Sequence, residues 1–139
     1  MVFRTQPYME WLGKNNIERF FGSIQIVHGG WSDPIDEYIK EPSEDYFSKI
    51  VGKIFMSGHT HIQVLKQYGD KTYCNKGSVG QPRDNSPKAA FAVVENNIIT
   101  LHRVEYDMEK VFQLMSTAGF NVYYYWSLKT GAKNLCRLE

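Results

Sequence analysis

The chain has 139 residues, enough for one domain with a buried core, and its 16 Lys and Arg residues nearly balance 15 Asp and Glu residues. This balance gives no support for a nucleic-acid-binding surface or a charged disordered tail. No segment has the length of a membrane span, and residues 1–14 lack a signal-peptide pattern. The two cysteines, Cys74 and Cys136, stand in unrelated contexts, which predicts a reduced, cytoplasmic protein.

The first half of the chain predicts helices between two apolar strands. Residues 5–12 are predicted to form a short helix that ends at Gly13, and residues 20–27 a single strand that ends at His28. A helix is predicted to begin at Asp33-Pro34, with Asp33 as its N-cap. Residues 44–51 form a second predicted helix, and residues 53–57 a strand that leads into Gly58-His59-Thr60-His61.

The second half of the chain predicts mainly β-structure. Residues 62–67 and 71–75 are predicted to pair around Tyr68-Gly69-Asp70, and residues 89–94 and 98–104 around Asn96-Asn97. Between these hairpins, residues 77–87 have the composition of a loop. Residues 107–118 form a predicted helix that ends at Gly119, whereas the aromatic segment 123–126 gives no clear pattern. The predicted class is α/β (α+β), built mainly from β-hairpins with flanking helices.

Three histidines stand at the ends of predicted strands. In extended chain, His59 and His61 would project to the same side. His28 follows the other apolar strand, and the three imidazoles can form a metal site if the two strands are neighbours. The alternative is that all three are held by backbone partners at turns. His102 lies in an alternating strand and is predicted to be a solvent-facing residue rather than a ligand.

Three motifs occur in order between His28 and Asp84: VHGGWSDPIDEYI, GHTH and YCNKGSVGQPRD, followed by the alternating strand AAFAVVE. Together they resemble the calcineurin-like metallophosphoesterases, in particular the small prokaryotic phosphodiesterases. The resemblance implies a four-layer α/β/β/α sandwich with a two-metal site at its strand ends. By the family's pattern, His28 and His59 would bind one metal and His61 the other. The implied metals are Mn, Fe, Zn or Ni, and the implied reaction is hydrolysis of a phosphodiester or phosphomonoester.

The family's Asp-x-His, Gly-Asp-x-x-Asp and Gly-Asn-His motifs are not found in this sequence. The resemblance therefore covers the family's C-terminal half, and residues 1–139 are interpreted as one partial domain without the N-terminal metal-binding half. We expect an incomplete phosphoesterase, and no residue is singled out as catalytic. Exposed strand edges would favour a homodimer or association with the missing half. Asp33, Asp36 and Glu37 are interpreted as helix-capping residues rather than substitute ligands.

The segment that contains GSVGQPRD has two interpretations. Arg83 could meet an anion, but the favoured interpretation is that the loop supports the histidine strands, with Asn75 and Ser78 holding its turns. Asp84 is interpreted as a turn residue. Lys76 stands where the family usually has proline.

Two other functions remain open. The first is a protein-binding scaffold that keeps the fold but has a decayed metal site; the missing carboxylates favour it and the retained histidines oppose it. The second is a mononuclear metal protein that uses three histidines and water. Trp31 and Tyr38 lie near His28 in sequence and are interpreted as packing residues rather than parts of a substrate pocket.

Overall fold

The computed structural model describes Glu10, Gly13, Lys14 and residues 16–132. The predicted helix over residues 5–12 falls almost entirely outside these residues, as does Cys136. The described strands are β1 (Glu18–Phe21), β2 (Ile24–Val27), β3 (Ile54–Ser57), β4 (Gln63–Tyr68), β5 (Lys71–Lys76), β6 (Ala89–Glu95) and β7 (Ile98–Val104). The helices are α1 (Glu44–Ser48), α2 (Met108–Thr117) and α3 (Tyr123–Trp126), which continues into a 3₁₀ turn at Ser127–Lys129.

Five strands form one sheet in the order β1-β2-β3-β5-β4, and β6 and β7 form a separate hairpin. The central strands β2, β3 and β5 are parallel, whereas β1 and β4 are antiparallel to their neighbours at the two edges. Parallel neighbours end at the same edge of a sheet. The loops that follow β2, β3 and β5 therefore meet there.

Apolar side chains cover both faces of the central strands. On one face, Phe47 of α1 packs against Phe55 and Tyr73, and all three are almost completely buried. On the other face, Ile54, Met56 and Cys74 pack against the inward side chains of the β6–β7 hairpin, namely Ala92, Val94, Ile99 and Leu101. The hairpin thus lies as a second β-layer on the sheet. This layered arrangement confirms the predicted mixed α/β class.

Glycine and asparagine set the turns between the strands. The prediction of one strand over residues 20–27 was wrong, because Gly22 has a φ of +60° and turns the chain back into the β1–β2 hairpin. Asn96 and Asn97 have φ values of 51° and 61°, and they connect β6 to β7 as predicted. The left-handed region is accessible to asparagine at low cost, which explains this short connection.

The segment after β2 forms a single turn instead of the predicted helix. The Asp33 side chain accepts hydrogen bonds from the N–H groups of Ile35 and Asp36, at 2.9 and 3.1 Å, as a helix cap would. The chain then folds back, and Gly29 N–H donates to Pro34 O at 2.7 Å. A Cβ at Gly29 would lie 2.8 Å from Asp33 O, so this compact turn requires glycine. The capping role of Asp33 is confirmed, but no helix follows it.

The C-terminal helix α2 begins and ends as predicted. The Asp107 side chain accepts a hydrogen bond from Lys110 N–H at 3.1 Å, and Gly119, at φ +80°, follows the helix. The aromatic segment becomes α3, which packs Tyr125 against Phe112 with 5.5 Å between ring centroids. None of the helices among the described residues combines the length and apolar character needed to cross a membrane.

Candidate metal centre

The candidate site lies where β2, β3 and β5 end. Because Ile26 pairs with Met56, and Ser57 with Asn75, the residues that follow lie in one row across the three strands. A hydrogen bond of 2.9 Å from Gly58 N–H to His28 O extends the pairing of β2 with β3 by one further step. The sheet register therefore places His28 beside the segment that carries His59 and His61.

The structure brings His28 and His59 into direct contact. Nε2 of His28 lies 3.1 Å from Nδ1 of His59, with the two rings edge to face and their centroids 5.0 Å apart. The two ring nitrogens lie within hydrogen-bonding distance of each other, and an ion bound by both would replace the proton between them. Two imidazole nitrogens in this arrangement match the ligand type of Mn, Fe, Zn or Ni, although a closed site requires further donors.

His61 takes a different orientation from the one expected of an extended chain. His59 and His61 have φ values of 60° and 62°, in the left-handed region, so the prediction that both project to one side of extended chain was wrong. Nδ1 of His61 lies 2.7 Å from Gln81 O. A carbonyl oxygen can only accept, so Nδ1 carries the proton and donates, which leaves Nε2 with a free lone pair. Metal-binding histidines are commonly oriented by such a bond.

The surroundings of His28 and His61 favour the neutral forms of these two side chains. Burial lowers the pKa of His28, and the nearby His59 and Lys76 lower it further, against an opposing effect of Asp36. Burial also lowers the pKa of His61, and Arg83 adds to this, whereas the hydrogen bond to Gln81 acts in the opposite direction. Neutral imidazoles have the free lone pairs that metal binding requires.

Two of the acidic residues after His28, Asp33 and Glu37, have structural partners. Asp33 caps its turn, and the Glu37 carboxylate accepts hydrogen bonds from Ser32 N–H at 2.8 Å and from the Tyr46 hydroxyl at 2.7 Å. Among residues 16–132, with Glu10, Gly13 and Lys14, no group of three or more His, Cys, Asp or Glu side chains could hold a metal ion. The described part of the chain therefore offers a metal two adjacent imidazole nitrogens, without a complete ligand set.

Asn75 connects the loops around the site. Its side-chain NH₂ donates to Gly58 O at 2.6 Å and to Thr60 Oγ1 at 3.0 Å, and its Oδ1 accepts from Gly77 N–H at 3.0 Å. Asn75 is 1% exposed, so these bonds are shielded from water. The Asn75 side chain holds together the end of β3, the loop that carries His59 and His61, and the start of the loop that follows β5.

Arg83 and Asp84 lie beside the loop that carries His59 and His61. Arg83 N–H donates to His61 O at 3.0 Å, and its guanidinium lies 3.3 Å from Gln81 Oε1. Interpreting Asp84 as only a turn residue was incomplete. Its carboxylate forms a two-point ion pair with Arg103 of β7 and accepts a hydrogen bond of 2.9 Å from Gln63 N–H. The ion pair and the hydrogen bond together connect the loop to both sheets.

Two aromatic residues near His28 have different environments. Trp31 packs edge to face against Phe55 in the core and donates to Gln25 Oε1 at 2.8 Å, as a packing residue. Tyr38 instead lies against the site, with its ring centroid 5.4 Å from that of His59 and its hydroxyl 3.2 Å from Thr60 O. His102 is exposed on β7 and stacks on Phe91, as expected of a residue outside the site.

Lys76 belongs to the site although its residue type gave no metal-site signal. Its ammonium lies 3.5 Å from Ser57 O and close to Gly58, at the same strand ends as the histidines. Lys76 is an exposed residue, yet partial desolvation of its ammonium lowers the pKa of Lys76. The parallel pairing of β3 with β5 is the signal that could have found it, because it aligns Gly58 with Lys76.

Comparison with known proteins agrees with the resemblance that the three motifs indicated. A family model described as the calcineurin-like phosphoesterase superfamily domain matches residues 10–97, which include all three motifs. The uncharacterized protein MJ0912 of Methanocaldococcus jannaschii is 32% identical over 100 residues, which cover 60% of this chain and 39% of that protein.

Two solved structures have a similar fold. A metallophosphoesterase from Sphaerobacter thermophilus matches with a TM-score of 0.82 and 25% identity, over 91% of this chain and 63% of that one. The hypothetical protein PH1004 from Pyrococcus horikoshii OT3 matches with a TM-score of 0.76 and 19% identity, over 94% and 56%, which shows likeness of fold alone. In each of these three comparisons, the chain covers less than two thirds of the relative.

Proposed function

This chain belongs to the calcineurin-like phosphoesterase superfamily, and we propose that it takes part in metal-dependent hydrolysis of phosphate esters. The membership confirms the family predicted from the three motifs. The observation that carries the proposal is the 3.1 Å approach of His28 Nε2 to His59 Nδ1 at the ends of two parallel strands. A bound divalent ion would polarise a phosphoryl oxygen and activate water at this point.

The residues of the chain have distinct parts in this proposal. His28 and His59 present two ring nitrogens to one ion. His61, fixed through Nδ1 by Gln81 O, keeps Nε2 available for a second ion. Asn75 holds the loop that carries His59 and His61 against β3. Manganese, iron, zinc and nickel all accept imidazole, and each is a candidate for the ion.

Hydrolysis of a chromogenic phosphodiester, with and without added Mn²⁺, tests the proposal. We expect metal-dependent turnover that His59→Ala abolishes, because that substitution removes one of the two facing nitrogens. His102→Ala is the matched control, since it removes an exposed imidazole on β7 and should retain the wild-type rate. Metal content per chain, measured after dialysis against each ion, should fall in His59→Ala and not in His102→Ala. Equal metal content in wild type and His59→Ala would contradict the proposal.

A second candidate function is a non-catalytic, protein-binding scaffold with this fold. The observation that favours it is the lack, among the described residues, of a group of three metal-binding side chains. The dialysis experiment separates the two functions. If the wild type retains no more metal than a variant with alanine at positions 28, 59 and 61, the scaffold is supported and hydrolysis is not.

A further inference from the structure

Lys76 stands in one row with His28 and Gly58. Ser57 of β3 pairs with Asn75 of β5, so the next residues along these strands, Gly58 and Lys76, are neighbours. On the other side, Gly58 N–H donates to His28 O at 2.9 Å. Residues in such a row project their side chains to the same face of a sheet. A histidine and a lysine therefore flank a position that has no side chain.

The glycine in the middle makes room for the ammonium group. A Cβ at position 58 would lie 2.8 Å from Lys76 Nζ and 3.9 Å from His28 Nδ1. The ammonium thus occupies the space that a side chain would need, beside the His28 ring. The opposite nitrogen of that ring, Nε2, is the one that faces His59.

The ammonium has unused hydrogen-bonding capacity. It carries three N–H donors, and its one hydrogen bond within the described part of the chain is the 3.5 Å contact with Ser57 O. In that same part of the chain, no carboxylate lies within ion-pair distance of it. A cation with free donors is stabilised when an anion approaches.

We propose that Lys76 is an anion-binding residue of the candidate metal centre and holds a phosphoryl oxygen beside the His28–His59 pair. This inference rests on the proposed function, because the anion it names is the phosphoryl group of the substrate. The proposal also predicts that the Lys76 ammonium acts in opposite directions on anion binding and on metal binding. The ammonium attracts the phosphoryl oxygen but repels a divalent cation bound by the same histidines.

The test compares Lys76→Met with Lys53→Met, which makes the same change at the other end of β3. Inorganic phosphate is titrated into each 139-residue chain, both loaded with Zn²⁺ and metal-free, and binding is followed by amide NMR shifts. In at least one of the two forms, we expect Lys76→Met to bind phosphate about tenfold more weakly, as loss of a charge-assisted hydrogen bond predicts. Zn²⁺ affinity, measured by competition with a chromogenic chelator, should rise by about threefold or more. Lys53→Met should change neither value.

A second variant moves the charge without removing it. Gly58→Ala places a methyl group 2.8 Å from Lys76 Nζ, and the flexible lysine side chain can move aside. Since the φ of Gly58 is not in the left-handed region, alanine is compatible with its backbone. We expect Gly58→Ala to weaken phosphate binding as Lys76→Met does. Phosphate affinities equal to wild type in Lys76→Met and Gly58→Ala would overturn the inference. Loss of both phosphate and Zn²⁺ affinity in Lys76→Met would also overturn it, because such a joint loss indicates that the lysine has a structural role.

The two proposals fail in different ways. If His59→Ala loses Zn²⁺ while Lys76→Met binds phosphate as wild type does, the metal centre stands and the role of Lys76 is wrong. If His59→Ala retains Zn²⁺ and phosphate binding to the metal-free chain weakens in Lys76→Met, the anion site stands without the proposed metal centre.

Discussion

Replacing Asn75 with alanine removes a side chain that connects three segments around the candidate metal centre. The substitution deletes two hydrogen bonds donated to Gly58 O and Thr60 Oγ1 and one accepted from Gly77 N–H. All four residues are buried, so water cannot replace the lost partners without rearrangement of the loops. We therefore expect a loss of stability larger than that of a surface substitution.

The magnitude follows from the number of groups left without a partner. A buried polar group that loses its hydrogen bond costs about 1–3 kcal/mol. Gly58 O still accepts from Thr60 N–H at 2.6 Å and Thr60 Oγ1 still accepts from Ile62 N–H at 3.2 Å, whereas Gly77 N–H is left without its acceptor. One unsatisfied backbone N–H and two acceptors that each lose one of two partners give a loss of about 2–4 kcal/mol. This is a large part of the 5–15 kcal/mol that typically stabilises a domain.

Urea unfolding followed by tryptophan fluorescence measures this loss. The midpoint should fall while the slope with denaturant stays the same, because the area exposed on unfolding changes little. Asn16→Ala, at an exposed position before β1, is the control and should remain within about 0.5 kcal/mol of wild type. A loss of less than about 1 kcal/mol in Asn75→Ala would refute the reasoning, since the loops would then be held by other contacts.

Three further outcomes are expected. Asp84→Asn should cost about 2 kcal/mol at pH 7 by weakening the pair with Arg103. Burial raises the pKa of Asp84, but the hydrogen bonds from Arg103 and Gln63 N–H and the charge of Arg103 outweigh burial and lower the pKa below 3.8. The stability difference from wild type in urea unfolding should therefore persist above about pH 4 and vanish as the pH falls through the folded pKa. A constant difference down to about pH 2 would contradict this. Burial raises the pKa of the Cys74 thiol to about 11. Alkylation at about pH 8, mapped by mass spectrometry, should therefore label Cys74 in urea and not in the folded chain. Equal labelling in both states would count against the burial of Cys74. Because β1 lies at a sheet edge and exposes Phe20 and Phe21, we propose that size-exclusion chromatography gives an oligomer, and a clean monomer would exclude this.

The sequence was informative where short-range chemistry decides the structure. Asn96-Asn97 specified a hairpin because asparagine tolerates positive φ, and Asp107 and Gly119 marked both ends of α2 because they satisfy the helix termini. The apolar strand before Gly58 was also recognised, and so was the end of β2 at His28, but not the turn at Gly22. These features depend on a few adjacent residues, so pattern reasoning can reach them.

Other features depend on partners that are distant in sequence. The Asp33-Pro34 segment has a helix-start pattern, but the bond from Gly29 N–H to Pro34 O closes it into a turn. The ion pair of Asp84 with Arg103 joins residues on different sheets. Lys76 becomes part of the site only because β3 and β5 are parallel neighbours. Such pairings are set by tertiary packing, which residue patterns do not specify.

The backbone at His59 and His61 has an evolutionary consequence. Both residues hold positive φ, where an ordinary side chain costs on the order of 1 kcal/mol relative to glycine or asparagine. A library selected only for thermostability should therefore accumulate glycine or asparagine at these two positions. Histidine would persist there only under selection for what the imidazoles do, so the identities recovered from such a library would separate a demand of the fold from a demand of the function.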